Sequence, residues 1–285
     1  MIAITGASGQ LGRLVITALL DTVPTDQLIA IVRDPAKVAD LAEKGVQIKR
    51  ADYSDAAALA RALTGVEKLL LISSSEVGQR EAQHRNVIEA AKAAEVKFIA
   101  YTSLLHADRS PLGLADEHVA TENMLAESGI PFALLRNGWY TENYLASVPP
   151  ALEHGVFIGS AGKGKIASAP RADYAEAAAR VLTRDNQAGK IYELAGDEAW
   201  TLFDLTAQLS QQSGKPVAYQ NLSAADFTAA LQGSGLPEPL ASLLADSDVG
   251  ASQGGLFDDS RQLSTLLGRP TLPLAESLRA LLRAK

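Results

Sequence analysis

The sequence predicts an α/β fold, a doubly wound parallel sheet of the Rossmann type followed by a smaller C-terminal α/β lobe. Two observations lead to this prediction. Short apolar runs alternate with alanine-rich stretches of helical spacing, and the first apolar run ends in a glycine-rich turn. The runs lack strict polar and apolar alternation, as expected for strands covered by helices on both faces. Strands are predicted at residues 1–5, 28–33, 46–50, 68–73, 97–102, 131–136 and 191–194.

Helical spacing predicts helices between these strands and again near the C-terminus. They are expected at residues 10–20, 55–63, 80–94, 114–128, 202–213, 224–231 and 239–244. After residue 136 the alternation weakens, and the glycines and prolines of residues 149–164 indicate long connections. We therefore predict a Rossmann domain at 1–140, to which some later segments return, and a smaller substrate-side lobe at 141–285. Residues 247–255, rich in Gly, Ser and Asp, are predicted to form a loop.

The composition excludes several classes of function. The formal net charge is -7 and no dense run of Lys and Arg is present, which argues against nucleic-acid binding. The chain has no cysteine, so it has no disulfide, thiolate metal site or catalytic thiol, and its four dispersed histidines show no metal-binding spacing. Without a signal-like leader or an apolar run of about 20 residues, we expect a cytoplasmic protein with no membrane span.

The turn after the first strand predicts a dinucleotide site. It comprises Gly6, Ala7, Ser8, Gly9, Gln10, Leu11 and Gly12, with the glycines spaced G-x-x-G-x-x-G. Glycines there permit the tight turn, the approach of the pyrophosphate and close helix packing, and the helix amides receive the phosphates. A plain glycine-rich turn is the alternative. An ATPase is disfavoured, because Arg13 and Leu14 stand where a phosphate loop needs Lys and Ser or Thr.

The end of the second strand bears on the choice between the two nicotinamide dinucleotides. An acidic residue there would pair with the ribose 2′-hydroxyl, but this chain has Arg33, with Lys37 four residues later. Both cations favour a 2′-phosphate, so the predicted cofactor is NADPH. In the other interpretation, Asp34 caps a helix that begins at Pro35 and Arg33 is a solvated surface charge.

Further polar residues follow the third and fourth strands. Asp52 is expected either to meet the adenine or to cap the helix that begins near residue 55. Ser73, Ser74 and Ser75 lie at the carboxyl edge of the sheet, where hydroxyl groups and backbone amides contact a cofactor.

Several segments together resemble a known group of proteins. They are Gly6-Ala7-Ser8-Gly9-Gln10-Leu11-Gly12, Ile31-Val32-Arg33-Asp34-Pro35, Tyr101-Thr102-Ser103, Glu122, Leu135-Arg136-Asn137-Gly138, Asp173-Tyr174-Ala175 and Tyr192-Glu193-Leu194-Ala195-Gly196. The chain resembles the NmrA-like branch of the atypical short-chain dehydrogenases and, within it, the bacterial type 2 NADPH:quinone oxidoreductases. The resemblance implies reduction of a small-molecule quinone by hydride transfer from NADPH, with an oligomer possible.

The chain lacks the Tyr-x-x-x-Lys pair with which typical short-chain dehydrogenases transfer a proton. None of the seven tyrosines has Lys four residues later, and Leu114 and His118 occupy the corresponding positions. Ordinary alcohol dehydrogenase and nucleotide-sugar epimerase chemistry are therefore disfavoured. Quinone reduction tolerates the loss, because hydride addition gives a weakly basic, delocalised phenolate and catalysis needs chiefly orientation. No catalytic residue is assigned.

The polar and aromatic segment after the sixth strand is the predicted nicotinamide and substrate region. Asn137 and the backbone around Gly138 are expected to bind the carboxamide. The candidates for the quinone pocket are Trp139, Tyr140, Asn143 and Tyr144. Alternatively, Trp139 and Tyr144 are core anchors of the second lobe.

Other residues carry weaker expectations. For His118, contact with the cofactor and no contact are equally expected. His84 is expected to lie on an exposed helix face and His106 in a mobile loop. Arg171, before a helix predicted to be capped by Asp173, either reaches cofactor or substrate or forms a salt bridge. A non-catalytic redox sensor that binds NADP(H) and regulates a protein partner remains the rival function, since it would lack the same pair.

Overall fold

A computed structural model describes residues 1–284 of the chain. Its strands are β1 (Ile2–Ile4), β2 (Leu28–Val32), β3 (Gln47–Arg50), β4 (Lys68–Leu71), β5 (Phe98–Leu104), β6 (Phe132–Asn137), β7 (Val156–Gly159), β8 (Ile191–Leu194) and β9 (Ala218–Asn221). Its helices are α1 (Gln10–Leu20), α2 (Ala39–Glu43), α3 (Ala56–Leu63), α4 (Arg80–Ala93), α5 (Ala115–Ser128), α6 (Thr141–Leu145), α7 (Val148–His154), α8 (Arg171–Thr183), α9 (Leu202–Ser213), α10 (Ala224–Gly233), α11 (Glu238–Ser252), α12 (Gln262–Leu267) and α13 (Leu274–Arg283).

The chain divides into two compact units. Unit 1 comprises Met1–Ala107, Asp116–Asn137 and Arg171–Tyr192. Unit 2 comprises Asp108–Ala115, Gly138–Pro170 and Glu193–Lys285. The chain enters unit 2 first at Asp108–Ala115, within the predicted 1–140 domain, and again after Asn137, and the Arg171–Tyr192 segment returns to unit 1.

Unit 1 contains the sheet on which the site is built. The seven strands run in the order β3-β2-β1-β4-β5-β6-β8, and the pairs from β3 to β6 are parallel. This order confirms the predicted doubly wound Rossmann sheet. Because the strand order reverses between β1 and β4, the carboxyl ends of these strands form the crevice in which such sheets bind ligands.

The core of unit 1 explains why its strands are so apolar. Every residue of β2 and β5 is buried, and helices pack on the sheet, α1 beside α8 and α3 beside α4. Leu59, Leu69 and Ile99 belong to one buried cluster between helices and sheet. Burial of such side chains contributes about 1.5–3 kcal/mol each, which favours strands without polar alternation.

Unit 2 has a second, two-stranded parallel sheet formed by β7 and β9. The sequence analysis missed both strands, because they are short and the glycine-rich residues around β7 indicated only connections. Helices α10 and α11 pack on each other, as do α9 and α13. A capping box between Thr201 and Asp204 begins α9.

The loop predicted at residues 247–255 is wrong over its first six residues, which lie in α11. The helix is also longer than the predicted 239–244. Gly250, one of the glycines of that predicted loop, is a packing residue within the helix, since a Cβ at Gly250 would lie 2.7 Å from Leu112 Cδ1. Close approach of Leu112, a tertiary contact, is thus the reason for the glycine.

Among residues 1–284, no helix is both long and apolar enough to cross a bilayer.

Candidate functional site

The glycine turn joins β1 to α1 at the sheet crevice of unit 1. Gly6 has φ +59°, in the left-handed region that favours glycine. A Cβ at Gly12 would lie 2.7 Å from Ala7 Cα, so only glycine lets α1 pack this closely on the turn. No side chain of the described residues caps α1 at Gly9. The amides of its first turn are therefore placed to receive an anion.

The other turn residues take different positions. Ala7 and Leu11 are buried, Ser8 is half-buried and Gln10 is exposed. The Ala7 N–H donates to the Ile31 carbonyl at 3.3 Å, which ties the turn to β2. The turn is thus shaped by its backbone, and Ser8 and Gln10 are the side chains that it leaves accessible.

Tyr53, which follows β3 in the chain, supports this turn and was missed by the sequence analysis. The Tyr53 hydroxyl is hydrogen bonded to Thr5 Oγ1 at 2.6 Å and to the Ile72 carbonyl at 2.7 Å. Burial raises the pKa of Tyr53, so the phenol stays neutral. Tyr53 thereby holds the ends of β1 and β4 together at the crevice. No sequence pattern indicates this, because the partners are distant along the chain.

Arg33 lies beyond the end of β2, with its side chain 66% exposed. Its Nη1 donates to Glu76 Oε1 at 2.8 Å, and its Nε lies 3.9 Å from Asp52 Oδ2. The guanidinium therefore has acidic neighbours, with which a 2′-phosphate would compete. Asp34 caps the 3₁₀ turn that begins at Pro35, accepting the Ala36 N–H at 3.1 Å, so that part of the alternative is confirmed.

Asp52 does not cap the next helix, so that alternative was wrong. Asp55 caps α3 by accepting the Ala58 N–H at 2.9 Å. Asp52 Oδ1 accepts the Ser54 N–H at 2.8 Å and the Ser54 hydroxyl. These bonds, and to a lesser degree the Arg33 charge, lower the pKa of Asp52. Its contact with the adenine stays a prediction.

The serines after β4 differ in their surroundings. The Ser73 N–H donates to Thr102 Oγ1 at 2.8 Å, Ser74 is buried and Ser75 is exposed. The Ser74 N–H donates to Nε2 of His84 at 2.9 Å. The backbone amides of Ser73 and Ser74 are thus engaged within the protein.

The exposed position predicted for His84 is wrong, since its side chain is fully buried. Its Nδ1 lies 2.9 Å from Thr121 Oγ1 on α5, and burial lowers the pKa of His84 to about 3. The neutral ring accepts the Ser74 N–H at Nε2, so its proton is on Nδ1. His84 joins α4 to α5 and to the β4 loop, a requirement of tertiary packing that helical spacing does not reveal.

His118 pairs with Tyr101 on β5, whose hydroxyl lies 2.7 Å from His118 Nδ1. Burial lowers the pKa of His118 to about 3 and raises that of Tyr101. A neutral imidazole supplies no cation to acidify a phenol. This buried pair therefore does not replace the missing Tyr and Lys, and contact of His118 with the cofactor stays a prediction. His106 lies in the turn after β5, with a left-handed backbone of φ 51°.

Asn137 ends β6 and is buried. Its Oδ1 has no hydrogen-bond partner among the described residues, while its backbone carbonyl accepts the Leu105 N–H at 2.9 Å. A buried, unpaired amide oxygen is costly, and it fits a donor such as a carboxamide NH2. The Gly138 N–H donates to the Leu194 carbonyl at 2.7 Å.

Arg171 is the first residue of α8. The predicted cap at Asp173 is wrong, because Asp173 lies within the first turn and is buried. An acidic residue in a first turn complements the helix dipole as well as a cap would, so sequence alone does not distinguish the two.

A buried ion pair in unit 1 was also missed. Glu122 Oε1 accepts the Ser103 hydroxyl at 2.6 Å and Arg136 Nε at 2.9 Å, and its Oε2 accepts Arg136 Nη2 at 2.7 Å. These side chains connect α5 to the facing positions of β5 and β6, where Ser103 is opposite Arg136. The resemblance includes Glu122 and Arg136, but nothing in the sequence indicates that they pair.

Unit 2 contains a pocket, here called the unit-2 pocket, that is partly open to solvent and encloses about 430 Å³ when the space open to solvent is counted. It is lined by Trp139, Asn143, Tyr144, Ser147, Phe157, Ile158, Phe227, Leu231, Leu244, Ser247 and Asp248. Three of the four predicted substrate residues are therefore together in its wall. Tyr140 is not among the described lining residues; it forms a backbone bridge with Ala169.

The unit-2 pocket has one buried carboxyl group. Asp248 Oδ2 accepts the Ser160 N–H at 2.7 Å, and a Cβ at Gly159 would lie 2.7 Å from the same oxygen. Glycine at 159 thus admits the carboxyl group. Burial raises the pKa of Asp248 to about 6. Asp248 was missed because it falls within the wrongly predicted loop.

Tyr144 lies in the same pocket, with its ring packed edge-on against Trp200 at 5.1 Å between centroids. Its hydroxyl is buried and has no hydrogen-bond partner within residues 1–284. Burial, with the nearby Asp248 charge, raises the pKa of Tyr144 well above its usual value. Tyr144 therefore combines the two predicted roles, since it packs in unit 2 and also lines a pocket.

In the part of the chain that the structure describes, no group of three or more His, Cys, Asp or Glu residues could hold a metal ion.

Comparison with known proteins agrees with a dinucleotide site. Residues 6–185 match the family model described as NAD(P)H-binding. The chain is 71% identical to quinone oxidoreductase 2 of Escherichia coli over 278 residues, covering 98% of this chain and 97% of the relative. A crystal structure of an E. coli NADPH-dependent quinone oxidoreductase with NADPH has a TM-score of 0.97 and 70% identity, covering 99% of this chain and 100% of the other. Citrobacter triphenylmethane reductase with NADP(H) has a TM-score of 0.93 and 39% identity, covering 99% and 100%.

Proposed function

This chain belongs to the NAD(P)H-binding family, and we propose that it is an oxidoreductase that reduces quinones with NADPH. The observation that carries the proposal is the 71% identity, over nearly the full length of both chains, to quinone oxidoreductase 2. The similar E. coli structure that holds NADPH supports the same cofactor. The reaction consumes NADPH, a quinone and a proton, and gives NADP⁺ and a hydroquinone.

We assign the cofactor to unit 1. The uncapped first turn of α1 would receive the pyrophosphate, and Arg33 the 2′-phosphate. The unpaired Oδ1 of Asn137 would accept a hydrogen bond from the carboxamide. These assignments use groups that the protein itself leaves unpaired or accessible.

We assign the quinone to the unit-2 pocket. Its lining combines apolar and aromatic side chains with a few polar groups, as is typical of small-molecule sites. Trp139, Phe157 and Phe227 offer aromatic surfaces to a planar ring, while a few polar groups are available to fix its orientation. The sequence analysis proposed the same use for Trp139, Asn143 and Tyr144.

The chemistry requires little from the protein beyond binding and orientation. NADPH, when bound, supplies the hydride. The buried Tyr101 and His118 are both neutral, so they do not form the acid-base pair of an alcohol dehydrogenase. Asn137 would fix the carboxamide, and the aromatic wall would hold the acceptor, which together favour a productive encounter.

The experiment that tests the function is steady-state loss of NADPH absorbance with 1,4-naphthoquinone, beside NADH and an acceptor-free control. We expect oxidation that depends on the quinone and prefers NADPH. Tight NADPH binding without turnover on several quinones would reject the reductase and favour the redox sensor.

A substitution at Arg33 tests the cofactor assignment. In Arg33→Asp, we expect the KM for NADPH to rise about 10- to 100-fold, because charge-assisted bonds of about 1.5–3 kcal/mol are lost, while the KM for NADH changes little. Arg61→Asp, an exposed arginine on α3, is the matched control and should leave both values unchanged. Equal effects of Arg33→Asp on the two cofactors would contradict the 2′-phosphate role.

We also place the reaction in the cytoplasm. The support for this location is a chain without cysteine, which suits a reducing compartment.

A further inference from the structure

The unit-2 pocket has both apolar and polar side chains in its lining. The apolar ones include Phe157, Ile158, Phe227, Leu231 and Leu244. Among the polar ones, the carboxyl group of Asp248 on α11 lies near the hydroxyl of Tyr144 on α6, which has no hydrogen-bond partner within the described chain. A buried carboxyl group and a buried, unpaired hydroxyl are costly unless a ligand pairs with them.

No counter-ion of Asp248 is found among residues 1–284. The titratable groups that face it are two phenols, Tyr144 on α6 and Tyr219 on β9, and both have raised pKa values. The Ser160 N–H favours the carboxylate, but burial outweighs it, and the pKa of Asp248 rises to about 6. Near neutral pH the group therefore exists in both protonation states.

We propose that Asp248 is a catalytic residue that binds the quinone oxygen and exchanges a proton with it. This inference rests on the proposed function. The protonated carboxyl donates a hydrogen bond to one quinone carbonyl, and the Tyr144 hydroxyl donates to the same end of the ligand. A carboxylate has only acceptor atoms, so it would repel that carbonyl.

The proton balance follows from these roles. The quinone gains a hydride ion, with its electron pair, from NADPH, which is oxidised to NADP⁺, and becomes a hydroquinone monoanion. The O–H bond of Asp248 then breaks and a new O–H bond forms on the hydroquinone oxygen. The Asp248 carboxylate regains its proton from water, and it can accept a hydrogen bond from the product hydroxyl before release.

Asp248→Asn separates this role from a structural one. The amide oxygen of Asn can accept the Ser160 N–H, and its NH2 group can donate into the pocket, so the variant imitates protonated Asp248 in both contacts. The matched control is Asp246→Asn on the same helix, because Asp246 also accepts one backbone N–H, from Gly113 at 2.8 Å, but does not line the pocket.

The experiment measures the Kd of 1,4-naphthoquinone without NADPH, by quenching of the fluorescence of Trp139 and Trp200. In the unaltered protein, we expect the Kd to rise at least about five-fold between pH 5 and pH 8, as the fraction of protonated Asp248 falls. Asp248→Asn should keep the low-pH affinity at every pH, and Asp246→Asn should retain the original profile.

Two results would overturn the inference. One is a Kd that does not depend on pH in the unaltered protein, and the other is an unchanged pH profile in Asp248→Asn. Failure of the proposed function is distinguishable, because it would be seen in the unaltered protein as NADPH oxidation that no quinone stimulates.

Tyr144→Phe gives an independent test if Asp248→Asn fails to fold. The substitution breaks no hydrogen bond recorded within residues 1–284. We expect it to weaken quinone binding about 2- to 10-fold, the value of one hydrogen bond, and to retain the midpoint of the pH profile. Unchanged quinone affinity would remove Tyr144 from the proposed binding mode.

Discussion

Two carboxyl groups are buried to nearly the same degree, one in each unit, and they differ in what they contact. Glu122 in unit 1 is 8% exposed and accepts bonds from two nitrogens of Arg136 and from the Ser103 hydroxyl. Asp248 in unit 2 is 6% exposed and, counting the residues described, accepts only the Ser160 N–H. The first has a counter-ion and the second faces a pocket.

The difference shows that burial alone does not identify a site. A buried carboxylate with a bidentate arginine is compensated, so Glu122 and Arg136 serve to join α5 to the sheet. A buried carboxyl without a counter-ion keeps an energetic penalty that a ligand can relieve. The absence of compensation makes Asp248 a candidate for function.

The largest effect on stability is expected when the compensated carboxyl group, Glu122, is removed. Glu122→Ala removes the buried carboxylate that accepts two bonds from the Arg136 guanidinium, which should lower the free energy of unfolding by about 3–5 kcal/mol. Urea titration measures the change. Glu81→Ala, which removes an exposed pair with Arg85 in the same unit, should cost less than about 1 kcal/mol. Equal losses for the two variants would mean that the buried pair is not special.

Substitution of the uncompensated carboxyl group, Asp248, is expected to raise the free energy of unfolding. The pKa of Asp248 is raised to about 6 in the folded state, so the folded protein binds this proton more tightly than the unfolded chain. Stability from this group is fully present below about pH 4 and declines as pH rises through about 6. Asp248→Asn should therefore raise the free energy of unfolding by about 2–3 kcal/mol at pH 8 and change it little at pH 4.

Urea titration at the two pH values measures this difference, with Asp246→Asn as the control. A variant that is less stable than the parent at pH 8 would show that Asp248 is compensated after all, and the contrast with Glu122 would no longer hold.

A related contrast, between local and tertiary contacts, explains which features could be predicted from the sequence. The glycine turn between β1 and α1 and the bounds of α1 were predictable because these residues are adjacent in the chain and depend on backbone geometry. The position of Asp248 in a helix was not predictable. That helix contains Gly250, which is required there by a contact with Leu112, a residue distant in the chain.

The hydrogen-bond partners of buried polar residues were also not predictable from the sequence. Burial of His84 follows from hydrogen bonds to Ser74 and Thr121, which come together only in the folded sheet. Glu122 and Arg136 are 14 residues apart, and their pairing depends on the register of β5 and β6. Local patterns thus predict helices, strands and the glycine turn, whereas the partners of buried polar groups can be identified only from the tertiary structure.

The smallest effect is expected at a third carboxyl group, which is exposed. Glu76 is 45% exposed and pairs with Arg33 at 2.8 Å, so its charge lies beside the predicted 2′-phosphate position. In Glu76→Gln this repulsion is removed, and the KM for NADPH should fall about 2- to 4-fold, by less than about 1 kcal/mol, with no change for NADH. Solvent screens an exposed charge, so the difference should shrink as salt is added. A higher KM for NADPH would instead mean that Glu76 positions the Arg33 guanidinium, and the exposed pair would then be part of the cofactor site and not a competitor for it.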